Sequence, residues 1–301
     1  MARESLALRA RLAEKDGDPG ELADTFLWTG IDHLFTGATT LGLTLVEAAA
    51  RIARENQLPQ PLARALINLT ASAIGEDAKQ AVAYGRETVA AARRGGNLTQ
   101  VWYGQINLAM ALWVRGEWSD LATTLRAVRL ERAPQRLDQV VLLCADFLLT
   151  AATGRATPLL GETTTDDPPG FHGTDRAWAH WLIALRLARE GRPGEALGDA
   201  VLAVETFGTV YDDFHHMWAT AVALAQEVGD VDAEERLFAV VDSVNAVIPL
   251  ALRAHRARFA AAAARRDAGT DALGRTPEAS APEVERLLRE ALELYATWGA
   301  L

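Results

Sequence analysis

The chain has 301 residues, of which 50% are hydrophobic and 23% are charged, and its formal net charge is −10. This mixture is typical of a folded globular chain, and the excess of acid disfavours direct binding to nucleic acid, which would be repelled. The chain has a single cysteine, Cys144, so a disulfide within the chain is excluded. Cys144 lies in an apolar run and is therefore expected to be buried.

The first residues, Met1-Ala2-Arg3-Glu4, carry no apolar export signal. No stretch approaches the roughly 20 apolar residues that a membrane helix needs. We therefore expect a cytoplasmic protein that has no contact with a membrane.

The first predicted element, Leu6–Lys15, has the pattern of the second helix of a hairpin whose first helix is missing. At the other end, Leu301 follows Trp298-Gly299 without the polar capping helix that a helical array usually needs. Both ends therefore look cut. We expect the chain to be a fragment, with a catalytic or DNA-binding domain, such as an ATPase or a cyclase, outside it.

From about residue 20 onward, a glycine ends a helical stretch at a regular interval. Successive glycines are separated by 38, 41, 38, 37, 38 and 40 residues. The seven positions are Gly37, Gly75, Gly116, Gly154, Gly191, Gly229 and Gly269. The tripeptide Ile67-Asn68-Leu69 also recurs as Ile106-Asn107-Leu108, 39 residues later. The sequence therefore predicts seven copies of one structural unit.

Each copy has the pattern of two helices joined by a short turn. Leu62–Ile74 and Val101–Val114 carry apolar residues at the spacing of one helical face, and no segment alternates as a half-buried strand does. Helix pairs of this kind bury their apolar faces only by stacking on neighbours. We therefore expect one all-α domain over 1–301, with first helices on a concave wall and second helices on a convex one.

Two polar inserts interrupt this pattern. After Gly154 the expected second helix is replaced by Arg155–Asp175, rich in threonine, proline and aspartate, and Thr270–Pro282 separates the last two helices. Both inserts are predicted to be surface loops. The first could divide the domain, or act as a lid or hinge, because long loops in compact chains are often functional.

Several repeats carry recognisable motifs. Asn107-Leu108-Ala109 followed by Gly116-Glu117-Trp118-Ser119-Asp120-Leu121 resembles the core of a tetratricopeptide repeat, and Gly191-Arg192-Pro193-Gly194-Glu195-Ala196-Leu197 resembles its second half. Trp218 stands where the first-helix tryptophan of that family is expected. The resemblance implies a right-handed α-solenoid of stacked antiparallel helix pairs. The period here is about 38 rather than 34 residues, so the repeats are lengthened and degenerate.

The C-terminal part is similar to the helical arrays of large bacterial signalling ATPases, including transcriptional regulators and cyclase-linked proteins. The similar stretches are Trp218-Ala219, Leu252–Phe259, Glu290-Ala291-Leu292 and Trp298-Gly299-Ala300. This resemblance implies a regulatory or sensor role within a larger ATP-dependent protein.

Positions 13, 10, 6 and 3 residues before each glycine are predicted to line the concave wall. Together with two asparagines of the recurring tripeptide, they give the candidate binding residues Asn68, Tyr103, Asn107, Met110, Trp113, Trp178, Trp181, His216 and Arg256. This aromatic groove, basic at one end, suits a protein or peptide partner. Alternatively, the aromatic residues pack hairpin against hairpin, and the asparagines bond helix to helix.

A rival hypothesis is an all-α metal enzyme built on Asp212, His215 and His216. Asp212 and His216 are four residues apart and would share a helix face, but two ligands do not complete a zinc site. No phosphate loop, dinucleotide-binding motif or nucleophile elbow is present. We therefore expect a non-enzymatic binding protein without metal or cofactor. A structural spacer or homo-oligomerisation module is a third hypothesis.

Two polar patterns are expected to face solvent. Arg126, Arg129, Arg132 and Arg136 would form a basic stripe only if one helix ran through Pro134, and a solvated face is the expected alternative. Asp146 shares helical spacing with Gln139, Thr150 and Thr153, which predicts an exposed polar stripe.

Overall fold

The computed structural model describes residues 17–130, 136–154, 174–207, 214–243, 248–267 and 281–300. These ranges contain only α-helices and the turns between them, without any strand. The helices are α1 (Pro19–Phe35), α2 (Thr39–Glu55), α3 (Pro59–Ile74), α4 (Ala78–Arg94), α5 (Leu98–Val114), α6 (Trp118–Leu130), α7 (Arg136–Thr153), α8 (Thr174–Arg189), α9 (Pro193–Phe207), α10 (Phe214–Val228), α11 (Val231–Asp242), α12 (Leu250–Asp267) and α13 (Ala281–Trp298).

The helices fall into two compact units. Unit 1 comprises Met1–Ile74 and Ala78–Pro134, and unit 2 comprises Gly75–Asp77 and Gln135–Leu301. Within each unit, consecutive helices pack in pairs. The prediction of a single domain with an interruption at 155–175 stays a prediction.

Unit 1 contains the hairpins α1–α2, α3–α4 and α5–α6. Asp18 caps α1 by accepting hydrogen bonds from the N–H groups of Gly20 and Glu21 at 2.8 and 3.2 Å, as is usual at a helix start. The first hairpin is closely packed, because a Cβ at Gly30 would lie 2.7 Å from Cγ2 of Val46. Helix α5 is buried on almost every side, which explains why its sequence is apolar all round.

Unit 2 contains α7 and the hairpins α8–α9, α10–α11 and α12–α13. The buried indole of Trp218 on α10 donates a hydrogen bond to the carbonyl of Leu237 on α11 at 2.7 Å. Glu234 at the start of α11 is also buried, and it pairs with Arg266 of α12 at 2.5 Å. These contacts join the last hairpins through polar groups whose burial requires such partners.

The predicted all-α class is confirmed over the described residues. The turn glycines Gly37, Gly116, Gly154, Gly191 and Gly229 have φ between 66° and 81°, the left-handed conformation that glycine adopts after a helix. Gly75 does not have a positive φ. Gly269 lies outside the described residues, as do Leu6–Lys15 and nearly all of both predicted inserts.

Other local predictions had mixed outcomes. Cys144 is fully buried, as expected, with Sγ 3.9 Å from the carbonyl oxygen of Trp178. In the described ranges, none of the helices combines the length and apolar character that crossing a membrane requires. The exposed stripe around Asp146 was a wrong prediction, because Asp146 is 1% exposed and Thr150 is buried beside it.

Candidate functional site

Four of the nine predicted binding residues are partly exposed on the first helices of unit 1. They are Asn68 on α3 and Tyr103, Asn107 and Trp113 on α5. Met110, although predicted to line the same wall, is buried in the core. Unit 1 therefore presents amide and aromatic side chains from two neighbouring first helices.

Polar contacts hold the first helices of unit 1 side by side. Nη2 of Arg64 on α3 lies 2.5 and 2.6 Å from the two carboxylate oxygens of Asp24 on α1. Nδ2 of Asn107 on α5 donates to the carbonyl of Ile67 on α3 at 3.0 Å. The helix-to-helix alternative is therefore confirmed for Asn107, whereas Nδ2 of Asn68 donates within its own helix, to Arg64, at 2.9 Å.

These contacts place one surface across three helices. Trp28 lies four residues after Asp24, Asn68 four after Arg64, and Tyr103 four before Asn107, so each pair shares a helix face. We call this surface the first-helix face and define it by six residues: Asp24, Trp28, Arg64, Asn68, Tyr103 and Asn107.

Trp28 is a member of this face that sequence reasoning missed. Its side chain is 51% exposed, which is uncommon for tryptophan. The counting rule selected positions 13, 10, 6 and 3 before Gly37 and so passed over position 28. The sequence does contain a signal, because Trp28 has aspartates four residues before and after it, which is unusual for a core residue.

In unit 2, Trp178, Trp181 and His216 are buried and contact one another. The rings of Trp178 and Trp181 meet edge to face with centroids 5.3 Å apart, and Trp181 is stacked on His216 at 6.0 Å. The indole of Trp181 also donates to Oγ1 of Thr220 at 2.9 Å. These contacts pack α8 against α10, as the packing alternative predicts. Any role of these residues in binding stays a prediction.

A cluster of histidine and aromatic rings lies beside this contact. The His215 ring centroid is 3.7 Å from that of His216, 6.0 Å from that of His255 and 5.4 Å from that of Trp298. The hydroxyl of Tyr295 lies 2.7 Å from Nδ1 of His255. The cluster joins α10, α12 and α13, so it ties the last hairpin of the chain to the preceding one.

Burial determines the protonation of His216 and His255 in this cluster. Loss of water lowers the pKa of His216 well below 6.5, and the neighbouring imidazoles His215 and His255 lower it further. The pKa of His255 is also well below 6.5, first because of burial and then because of His215 and Arg258. Both imidazoles are therefore neutral at pH 7, and burial raises the pKa of the Tyr295 hydroxyl.

The metal hypothesis cannot be completed from the described side chains. Asp212 and Asp213 lie outside the described residues, and His216 is engaged in the ring stack. Among the residues that the structure does describe, no three His, Cys, Asp or Glu side chains are grouped to hold a metal ion.

The predicted basic residues Arg256 and Arg126 both make contacts within the chain. Arg256 pairs with Asp242 at 2.7 Å and lies over the Phe238 ring, 6.0 Å from its centroid. Of the conditional arginine stripe, Arg126 lies on α6, which ends at Leu130, and Arg136 begins α7, while the residues between these helices lie outside the described ones. Arg126 donates within its own helix, and Arg132 lies outside the described residues.

No protein-family model matches its sequence, and no curated protein is detectably similar to it.

Proposed function

We propose that this chain is a non-enzymatic helical-repeat scaffold that binds a protein or peptide on its first helices. The observation that carries the proposal is the first-helix face of unit 1, where Trp28, Asn68, Tyr103 and Asn107 are partly exposed across three consecutive first helices. The tetratricopeptide-like period of about 38 residues and a right-handed solenoid belong to the same proposal.

The side chains of this face suit an extended or helical segment. Trp28 and Tyr103 offer large apolar surfaces, of the kind that anchor partners at protein interfaces. Asn68 and Asn107 each use an amide hydrogen to bond a helix carbonyl, at 2.9 and 3.0 Å. These hydrogen bonds fix both side chains and leave their amide oxygens as acceptors for a peptide N–H.

We also propose a wider context for the scaffold, based on the sequence resemblance alone. The array would act in the cytoplasm as the regulatory part of a larger ATP-dependent bacterial regulator, in which partner binding changes the arrangement of its helices. Reading the gene around this segment tests the context, because an adjoining ATPase or cyclase domain is expected.

Site-specific crosslinking tests the binding proposal. A photoreactive phenylalanine would replace Tyr103 on the first-helix face, and a control chain would carry it at Ala83, which is exposed on the second helix α4. We expect a discrete protein adduct from position 103 and none from position 83. The adduct partner, purified, should then bind the intact chain in isothermal titration and bind an Asn107→Ala variant more weakly.

A structural spacer is the principal competing function. It predicts no adduct at either position, or equal adducts at both, with concentration-dependent dimers in light scattering. Either crosslinking result would contradict the binding proposal.

A further inference from the structure

We infer that helix α1 recognises a basic segment of the partner, with an arginine or lysine side chain held over the indole of Trp28. This inference rests on the proposed function and specifies the chemistry of the partner. Its starting point is that Trp28 is half exposed at 51%, whereas Trp102, Trp178, Trp181, Trp218 and Trp298 are buried.

Acidic side chains accompany Trp28 along its face of α1. Glu21 and Asp32 stand seven residues before and four residues after Trp28, and Asp24 stands four before it, so all four share one stripe of the helix. Glu21 is exposed and Asp32 is partly exposed. Asp24 is paired with Arg64 of α3, so we assign the exposed Glu21 as the carboxylate of this stripe that contacts a basic partner.

The wider surroundings of Trp28 are acidic as well. Residues 18–55, which span the α1–α2 hairpin, include six acidic residues and two arginines, Arg51 and Arg54, so their formal charge is −4. A field of one sign attracts an oppositely charged partner before contact. It also disfavours a second copy of this chain as the occupant, because two such hairpins would repel each other.

An exposed indole on an acidic helix face is suited to bind a cation. The face of tryptophan attracts an ammonium or guanidinium group within about 6 Å of its centre, more strongly than phenylalanine or tyrosine does. Arginine fits best, since its plane can stack on the ring while its N–H groups reach a carboxylate. Arginines of this chain lie over the rings of Phe147, Phe238 and Phe259, whereas none of the described residues places a cation over Trp28.

Fluorescence anisotropy of the full chain with a labelled peptide of alternating arginine and alanine tests this inference. The matched probe replaces arginine by citrulline, which keeps the shape and removes the charge. We expect the arginine peptide to bind the chain and the citrulline peptide not to bind it. Trp28→Leu, which keeps apolar bulk without a ring, should weaken binding about two- to thirty-fold, and Trp28→Phe should weaken it less.

Charge variants separate the site from the overall acidity of the chain. Glu21→Gln should weaken binding and make it less sensitive to salt, whereas Glu47→Gln, which removes an exposed charge of α2 outside the stripe, should leave affinity unchanged. Equal weakening by both variants would reduce the effect to net charge and overturn the site. Wild-type affinity of the Trp28→Leu variant would also overturn the site, and so would equal binding of the citrulline and arginine peptides.

The two proposals can fail separately. If the adduct at position 103 forms but Trp28→Leu binds the arginine peptide like wild type, the basic-partner inference is wrong and the scaffold stands. If position 103 gives no adduct and the arginine peptide does not bind, both are wrong. Circular dichroism of each variant shows whether the helices remain folded, and the Trp28→Phe variant keeps the test decisive if Trp28→Leu does not fold.

Discussion

Acidification should destabilise unit 2 through its buried histidines. His216 and His255 have folded-state pKa values well below 6.5, so their stabilising contribution is complete above the unfolded pKa near 6.5 and is lost as pH falls below it. Each can lose at most about 1.4 kcal/mol per pH unit in this range. Lowering the pH from about 7.5 to about 5.5 therefore costs up to about 2.7 kcal/mol for the pair.

Urea denaturation at the two pH values, followed by circular dichroism, measures this loss. In a His216→Phe variant the contribution of His216 is absent, and the loss should be smaller by about 1.4 kcal/mol. The ring stack on Trp181 can persist in that variant, because phenylalanine is also flat. His33→Phe on α1, outside the cluster, is the matched control and should keep the full wild-type loss. A wild-type chain equally stable at both pH values, or a loss unaffected by His216→Phe, would refute the reasoning.

The helical hairpins could be predicted from the sequence because they depend on local interactions. Helix periodicity and the left-handed φ of a turn glycine are properties of neighbouring residues, so Gly37, Gly116 and Gly229 mark helix ends as expected. The helix pattern ended at Gly154 and the next described helix begins at Thr174. Local chemistry thus predicted where the helices are.

Side-chain exposure could not be predicted in the same way, because it depends on which helix covers each face. Counting back from a glycine predicts which face of its own helix a residue occupies, and it places Tyr103 and Trp181 on corresponding faces of their helices. Yet Trp181 is 1% exposed against α10, while Tyr103 remains partly exposed. Asp146 shows the same effect: its polar stripe predicted solvent, but packing buries it.

Two pairs of substitutions, each a test and its control, probe specific packing contacts by urea denaturation. Gly30→Ala should cost about 1–3 kcal/mol because its Cβ would meet helix α2 at 2.7 Å, whereas Gly198→Ala, with open space around it in α9, should gain about 0.5–1 kcal/mol. Glu234→Ala should cost about 2–3 kcal/mol, because it removes a buried carboxylate and leaves Arg266 without its partner from α11. The cost stays below that of a fully buried pair, since Arg266 keeps partial access to water. Glu235→Ala, the exposed neighbour, should change stability by less than about 0.5 kcal/mol, and an equal effect of both glutamate variants would exclude a specific buried ion pair.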